Sequence, residues 1–195
     1  MKPQKQTWDR IAKKWNQYRN IPSPLVREFL QDRKGKLLDL GCGSGRNFKK
    51  QKNLEIYGTD FSQKMIDFAK KKNIAKELKL MHNQEVPYPD NFFDSTICFA
   101  LLHCIKGKQN KIKIIKEIYR TLKPSSQALV SVWGRKSPRI KNKPKECYVP
   151  WKVNEKELRY IYIYDKDELE KELTDVGFKI TRSWEERNIN VIIEK

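Results

Sequence analysis

The sequence predicts an α/β protein, a doubly wound, mostly parallel seven-stranded sheet closed by an antiparallel strand pair. Three observations carry this prediction. Short apolar runs alternate with amphipathic helical stretches along the chain, the pattern of βαβ units with helices on both faces of a sheet. The first such run, Leu37-Leu38-Asp39-Leu40, breaks straight into Gly41-Cys42-Gly43-Ser44-Gly45-Arg46. A second run, Ile56-Tyr57-Gly58-Thr59-Asp60, ends in an acid one βα unit further on.

The N-terminal stretch Gln6–Tyr18 carries Trp8, Ile11, Ala12 and Trp15 at helical spacing, and Pro22 and Pro24 break it before a second helix, Leu25–Leu30. Strands follow at Lys36–Leu40 and Leu54–Gly58, with a helix expected to open near Ser44 between them. Ser62 caps a helix running from Gln63 to about Lys72, with Met65, Ile66 and Ala69 inward. Leu78–Met81 and Ser95–Phe99 read as the third and fourth strands. The helix Asn110–Leu122 should bury Ile112, Ile115, Ile118, Tyr119 and Leu122 while Lys111, Lys113, Lys116 and Arg120 face outward. Ala128–Trp133 is the fifth strand, Lys166–Val176 a helix ended by Gly177, and Phe178–Arg182 with Asn190–Ile193 the closing pair.

A chain of 195 residues is about one domain long. The expected organisation is a single domain over 1–195, with helices in 1–31 and a basic substrate loop over 135–151. No apolar run approaches the ~18 residues of a membrane span, and Met1–Arg10 lacks an apolar leader core, so a cytoplasmic protein is expected. The four cysteines are scattered without a Cys-x-x-Cys pair, and only two histidines occur, which argues against a zinc site, a disulfide framework or a histidine metal centre. The net charge of +18 makes a polyanion the natural partner. Six of the cations, Arg135, Lys136, Arg139, Lys141, Lys143 and Lys145, crowd into one acid-free stretch with two prolines. It reads as an extended loop that tracks phosphates through counterion release.

The glycine turn and the acid define the chemistry. Glycines allow a sharp turn and close backbone approach to a ligand, and an acid at the next strand tip can accept both hydroxyls of a ribose. A nucleoside-containing cofactor follows. The third glycine comes one residue too early for a dinucleotide fingerprint, and no Gly-Lys-Ser/Thr follows for a phosphate loop. Asp-x-Gly-x-Gly-x-Gly with a downstream acid instead resembles the S-adenosylmethionine site of class I methyltransferases. Two further segments resemble the same family, His82 to Asp94 at the adenine edge and Leu101-Leu102-His103-Cys104 at the fourth-strand exit. Asn83 stands where the family usually has an adenine-binding Asp. The resemblance implies S-adenosylmethionine as cofactor and a binding set of Asp39, Gly41, Gly43, Gly45, Asp60, Phe61, Asn83, Gln84 and Ala100.

Over nearly its whole length the chain resembles one branch, the tRNA wobble-uridine enzymes that methylate the carboxymethyl side chain of the modified base to its ester. The motifs are Trp8-Asp9-Arg10-Ile11-Ala12, Arg19-Asn20-Ile21-Pro22, Val132-Trp133, Val149-Pro150-Trp151 after the basic loop, Arg159-Tyr160, Asp167-Glu168-Leu169 and Arg187. Departures are Trp8 for a family Tyr and Asn188-Ile189-Asn190 after Arg187. A carboxylate is already ionised, so its esterification needs placement and desolvation more than a base. The resemblance implies Arg19 and Arg187 as carboxylate-orienting cations, His103 as a positioning donor, and Trp133 and Trp151 as pocket walls. It also implies the tRNA anticodon loop as substrate and a small zinc-binding activator subunit as partner. Rival readings are a methyltransferase of another RNA site or a small acid, and a non-catalytic cofactor-binding scaffold in an RNA-processing complex.

Overall fold

The computed structural model describes residues 4–138, 140, 142–151 and 154–195, with the side chains of 154–156 outside the description. Helices α1 (Gln4–Tyr18) and α2 (Pro24–Leu30) lead into β1 (Gly35–Leu40) and β2 (Leu54–Asp60), then α3 (Gln63–Lys70), β3 (Glu77–Leu80) and β4 (Phe93–Phe99). A 3-10 turn at Leu102–Cys104 precedes α4 (Lys108–Thr121), which runs directly into β5 (Leu122–Trp133). The chain closes with β6 (Glu146–Trp151), β7 (Asn154–Tyr162), α5 (Lys166–Val176), β8 (Lys179–Glu185) and β9 (Asn188–Glu194).

Seven strands form the main sheet in the order β3-β2-β1-β4-β5-β9-β8. The first five are parallel, and β9 lies antiparallel between β5 and β8. This is the predicted doubly wound sheet with its antiparallel closing pair. The strand order reverses between β1 and β4, which opens a crevice at the carboxyl ends of those strands. Alternation along each strand sends neighbouring side chains to opposite faces. Leu38, Leu40 and Val130 meet Ile114, Ile115 and Ile118 of α4 and Leu169 and Leu173 of α5 on one face. Leu37, Ile56 and Leu129 meet Val26 and Phe29 of α2 and Ile66 and Ala69 of α3 on the other. Each such side chain contributes about 1.5–3 kcal/mol on burial. Among the described residues no helix is long and apolar enough to cross a membrane.

Four expectations are corrected. No helix opens at Ser44: residues 43–47 are turn, and the connection from β1 to β2 is made by irregular chain alone. Gly45 at φ +74°, with the Phe48 ring packed on it, turns the chain instead. On α4 the buried stripe is Lys111, Ile114, Ile115, Ile118 and Thr121, and Ile112 only edges the core. Lys111 belongs inside because its ammonium lies 3.0 Å from the ring centroid of Tyr162 and 4.7 Å from that of Tyr164, with the charge of Glu172 nearby. Third, β6 and β7 form a separate two-stranded antiparallel hairpin, in which Tyr148 pairs Tyr160 and Val149 pairs Arg159. The alternating run Tyr160-Ile161-Tyr162-Ile163-Tyr164 was the available strand signal.

The described residues of the basic segment likewise lie mostly in turns rather than in an extended arm. Ile140 is buried against Val149, Ile161 and Ile163 and pins the segment down. Arg135 donates to the Lys143 carbonyl at 2.9 Å and lies 3.9 Å from Asp165. Lys136 is 3.8 Å from Glu185, and Lys145 bridges Asp165 and Glu168 at 2.8 Å each. These three cations are therefore partly spent on acids of the same molecule. Lys143 is half-buried, and Arg139 and Lys141 lie outside the described residues.

Candidate functional site

The glycine turn is stitched to the tip of β2. Gly41 and Cys42 N–H groups both donate to the Thr59 carbonyl, at 2.8 and 3.0 Å. Gly43 N–H donates to Asp60 Oδ2 and Ser62 N–H to Asp60 Oδ1, each at 2.9 Å. Gly41 and Gly43 hold φ of +74° and +55°. A Cβ on Gly41 would collide with Leu101 at 2.9 Å, whereas one on Gly43 would meet only Trp15 Nε1 at 3.6 Å. Gly43 thus presents bare backbone to open space.

That space is a cavity of about 420 Å³, and seven of the nine expected cofactor residues line it: Gly41, Gly43, Asp60, Phe61, Asn83, Gln84 and Ala100. Asn83, Gln84 and Ala100 hold positive φ of +49°, +56° and +64°. Such backbone costs about 1–3 kcal/mol per residue and clusters at ligand sites. The other two expected residues are not on the cavity wall. Gly45 serves packing, since the Phe48 ring lies 2.6 Å from where its Cβ would be. Asp39 is buried behind the turn. Burial pushes its carboxyl up to about 7, opposed by the Arg46 charge and an Asn47 hydrogen bond. Asp60 is pushed up to about 6 by burial, opposed by the backbone donors of Ser62, Gly43 and Phe61.

Sequence reasoning passed over several wall residues. Trp8 and Trp15, read as helix packing, line the cavity, and so do Arg46, Cys104 and Lys106. Two indoles seven residues apart on one helix face were the available signal. Helix α1 is held over the cavity by Asp9, which accepts from Ser62 Oγ at 2.5 Å, and by Gln4, which accepts from Tyr160 N–H at 2.9 Å. Arg10 pairs Glu157 at 3.1 Å. Trp15 meets Trp8 and Trp151 at centroid distances of 5.0 and 5.1 Å. Trp151 therefore backs the wall without reaching the cavity.

His103 and Trp133 also sit behind the wall. The imidazole stacks on the Trp133 indole at 5.1 Å, and Trp133 N–H donates to His103 Nδ1 at 3.3 Å. Burial pushes His103 down to about 3, and the Arg159 charge adds to this. The ring is neutral, with Nδ1 accepting and its proton on Nε2. Arg19 lies 5.6 Å over Trp15 and close enough to Arg46 for its charge, after burial, to lower that guanidinium. Arg187 is exposed in the β8–β9 turn, beside Asn188, the strand partner of Trp133. The two expected carboxylate-orienting arginines are thus at different places, Arg19 beside the wall residue Trp15 and Arg187 in the β8–β9 turn, and neither lines the cavity.

Residues 38–130 match the family of methyltransferase domains. In sequence the chain is similar to Probable tRNA methyltransferase 9B of Mus musculus, 32% identical over 130 residues that cover 66% of this chain and 29% of that protein. It is also similar to the tRNA (carboxymethyluridine(34)-5-O)-methyltransferase of Schizosaccharomyces pombe, 29% identical over 153 residues that cover 75% of this chain and 66% of that one. The chain spans less than a third of the mouse relative. A Haloferax volcanii methyltransferase solved in complex with the Trm112 methyltransferase activator shares the fold, with a TM-score of 0.71 at 14% identity and 96% of each chain covered. Residues 38–130 thus match a methyltransferase domain, and the strand order with the glycine turn closed on a buried acid gives the chain the fold of the class I S-adenosylmethionine-dependent methyltransferases.

Proposed function

We propose that this protein is a tRNA methyltransferase that converts the carboxymethyl group of a wobble uridine to its methyl ester, with S-adenosylmethionine as methyl donor. The observation that carries the reading is the cavity itself, whose wall brings the Gly43 backbone and Asp60 together with Trp8, Trp15 and the β4 exit. The cofactor suits these residues: Gly43 leaves room a side chain would fill, and Asp60 is a buried carboxylate facing the cavity. Asp60 would accept the ribose hydroxyls, while Asn83 and Gln84 edge the adenine. Arg46 offers a cation to the carboxylate of the cofactor. Asp39 acts from behind the turn by setting Arg46.

The bound cofactor supplies an electrophilic methyl on a cationic sulfur. The remaining work is done by the chain, which aligns an ionised carboxylate and excludes water from it. Arg19 orients that carboxylate from its place beside Trp15, and Arg187 guides the anticodon loop from the exposed β8–β9 turn. His103 donates from Nε2 and removes no proton. Trp133 and Trp151 hold the wall from behind rather than stacking on the base. Among the described cations of the basic segment, Lys143 and Lys136, which is 65% exposed and held to Glu185 only at 3.8 Å, are the ones that reach phosphates, while Arg135 and Lys145 tie the segment to Asp165. The names of the relatives support a tRNA substrate, that of the Schizosaccharomyces pombe enzyme a carboxymethyluridine at position 34, and the Haloferax complex supports a methyltransferase activator as partner.

The test is mass spectrometry of wobble nucleosides after incubating the protein, with activator, labelled S-adenosylmethionine and tRNA with or without carboxymethyluridine. Label is expected as a methyl ester on the modified tRNA alone. Methyl transfer to another position, or to unmodified tRNA equally, overturns the assignment.

A further inference from the structure

We propose that Tyr18 and Ile21, where α1 passes into α2, form a stacking platform for an unpaired base of the substrate RNA, beside the base that enters the cavity. This rests on the RNA substrate just proposed and adds to it a surface outside the cavity.

Among the described residues three large hydrophobic side chains are exposed, and two of them share this connection. Tyr18 is 62% and Ile21 74% exposed, and the third, Leu158, is on β7. One apolar side chain in water needs no explanation, but two within four residues form a patch. The connection is tied at both ends to the cavity wall. Arg19 N–H donates to the Trp15 carbonyl at 2.8 Å, and Ser23 N–H donates to Asn47 Oδ1 at 3.5 Å. Trp15 and Asn47 both line the cavity. Tyr18 follows Trp15 by three residues on α1, about 4.5 Å further along the helix axis. The patch therefore borders the cavity while facing solvent.

The charge around the patch selects its occupant. Residues 10–27 carry five Lys and Arg and no acid, and residues 40–53 carry four and no acid. The contact between Ser23 and Asn47 sets these two stretches side by side. Lys14 lies one turn before Tyr18 on the same helix face. Among the described residues Lys14, Lys49 and Lys50 pair with no acid. A protein partner with an apolar face would leave these cations unanswered. A single strand of RNA supplies both needs, a base face for the ring and phosphates for the cations on either side.

The experiment measures binding of an anticodon stem-loop to the activator-bound protein over a salt series, with 2-aminopurine placed in turn at the loop positions next to the target uridine. Tyr18→Ala should weaken binding about 5- to 100-fold. Its salt slope should stay that of the wild type, because stacking releases no counterions, whereas Lys14→Gln should lower the slope by about 0.7. Ile21→Ser should lose a smaller part of the affinity, and Tyr18→Phe should bind like the wild type. Quenching of 2-aminopurine at one loop position should disappear in Tyr18→Ala and persist in Tyr18→Phe, which a merely structural role would not produce. In methyl transfer, Tyr18→Ala should raise KM for tRNA by a similar factor with kcat within about threefold. A Tyr18→Ala protein that binds the stem-loop as the wild type does, or with the same quenching, overturns the inference. So does one that loses the activator and keeps its affinity for RNA, which would make the patch a protein-docking face. A wild type that binds RNA through Tyr18 yet transfers no methyl to carboxymethyluridine would sink the proposed reaction and leave the platform standing. Methyl transfer with equal KM in wild type and Tyr18→Ala would sink the platform alone.

Discussion

Substituting Asp60 by Asn tests the cofactor site most directly. Asp60 uses one carboxylate oxygen for Gly43 N–H and the other for Ser62 N–H. With Phe61 as a further backbone donor, the carboxylate keeps its remaining acceptor capacity for the ribose hydroxyls. Two charge-assisted hydrogen bonds are lost or weakened in the variant, and the amide nitrogen cannot accept from one of the two backbone donors. The expected cost is about 2–4 kcal/mol of cofactor binding, roughly 30- to 1000-fold in Kd. The wild-type pH dependence gives an independent check. Burial raises Asp60 to about 6, and hydroxyl donors favour its ionised form. Affinity should therefore be full above pH 7 and fall as pH drops through about 6, at up to about tenfold per unit. Asp60→Asn should flatten that curve. Isothermal titration with S-adenosylmethionine from pH 5 to 8 reads both effects. A variant within threefold of wild type at pH 7.5, or a wild-type curve flat down to pH 5, would refute the ribose assignment.

Asp39 gives a stability prediction of opposite sign. Its folded value of about 7 exceeds the ordinary 3.8, so its contribution is fully present below pH 4 and lost as pH rises through 7. The shift of about three units caps the effect at about 4 kcal/mol. Asp39→Asn should add about 1–3 kcal/mol at pH 8, after the lost attraction to Arg46, and almost nothing at pH 4; urea denaturation curves that differ equally at both pH values would contradict this. Because His103 is held near 3, turnover at saturating S-adenosylmethionine, where the Asp60 titration no longer shows, should have no inflection near pH 6.5, and His103→Ala should slow turnover without abolishing it. A dead variant together with such an inflection would favour a general base. In the basic segment, Lys136→Gln with Lys143→Gln should weaken tRNA binding and reduce its salt slope by about 1–2, near 0.7–0.9 per phosphate contact; Arg135→Gln with Lys145→Gln should loosen the segment with a smaller slope change. Equal slopes for both pairs would mean that the ties to Asp165 and Glu168 do not spare those cations from RNA.

The sequence by itself determined the sheet, its closing pair, the helix capped by Ser62 and the acid at the tip of the second strand. These are local matters: periodicity selects strand or helix, and a glycine turn after a buried strand restricts where a ligand can approach. Tertiary structure decided the rest. Lys111 looks solvent-facing in any helical pattern, and only the rings of Tyr162 and Tyr164, some fifty residues away, make it an interior cation. The six cations of the basic segment look free until Asp165, Glu168 and Glu185 are brought beside three of them. Asp39 and Gly45 share one motif with Gly41 and Gly43, yet face the core because side chains along a strand and a tight turn point to different sides. Trp8, Trp15, Trp151 and Arg159 lie in three separate stretches of sequence and converge on one wall only when α1 docks on the hairpin. Periodicity reports which way a side chain points along its own element, whereas a site is built from what other elements place opposite it.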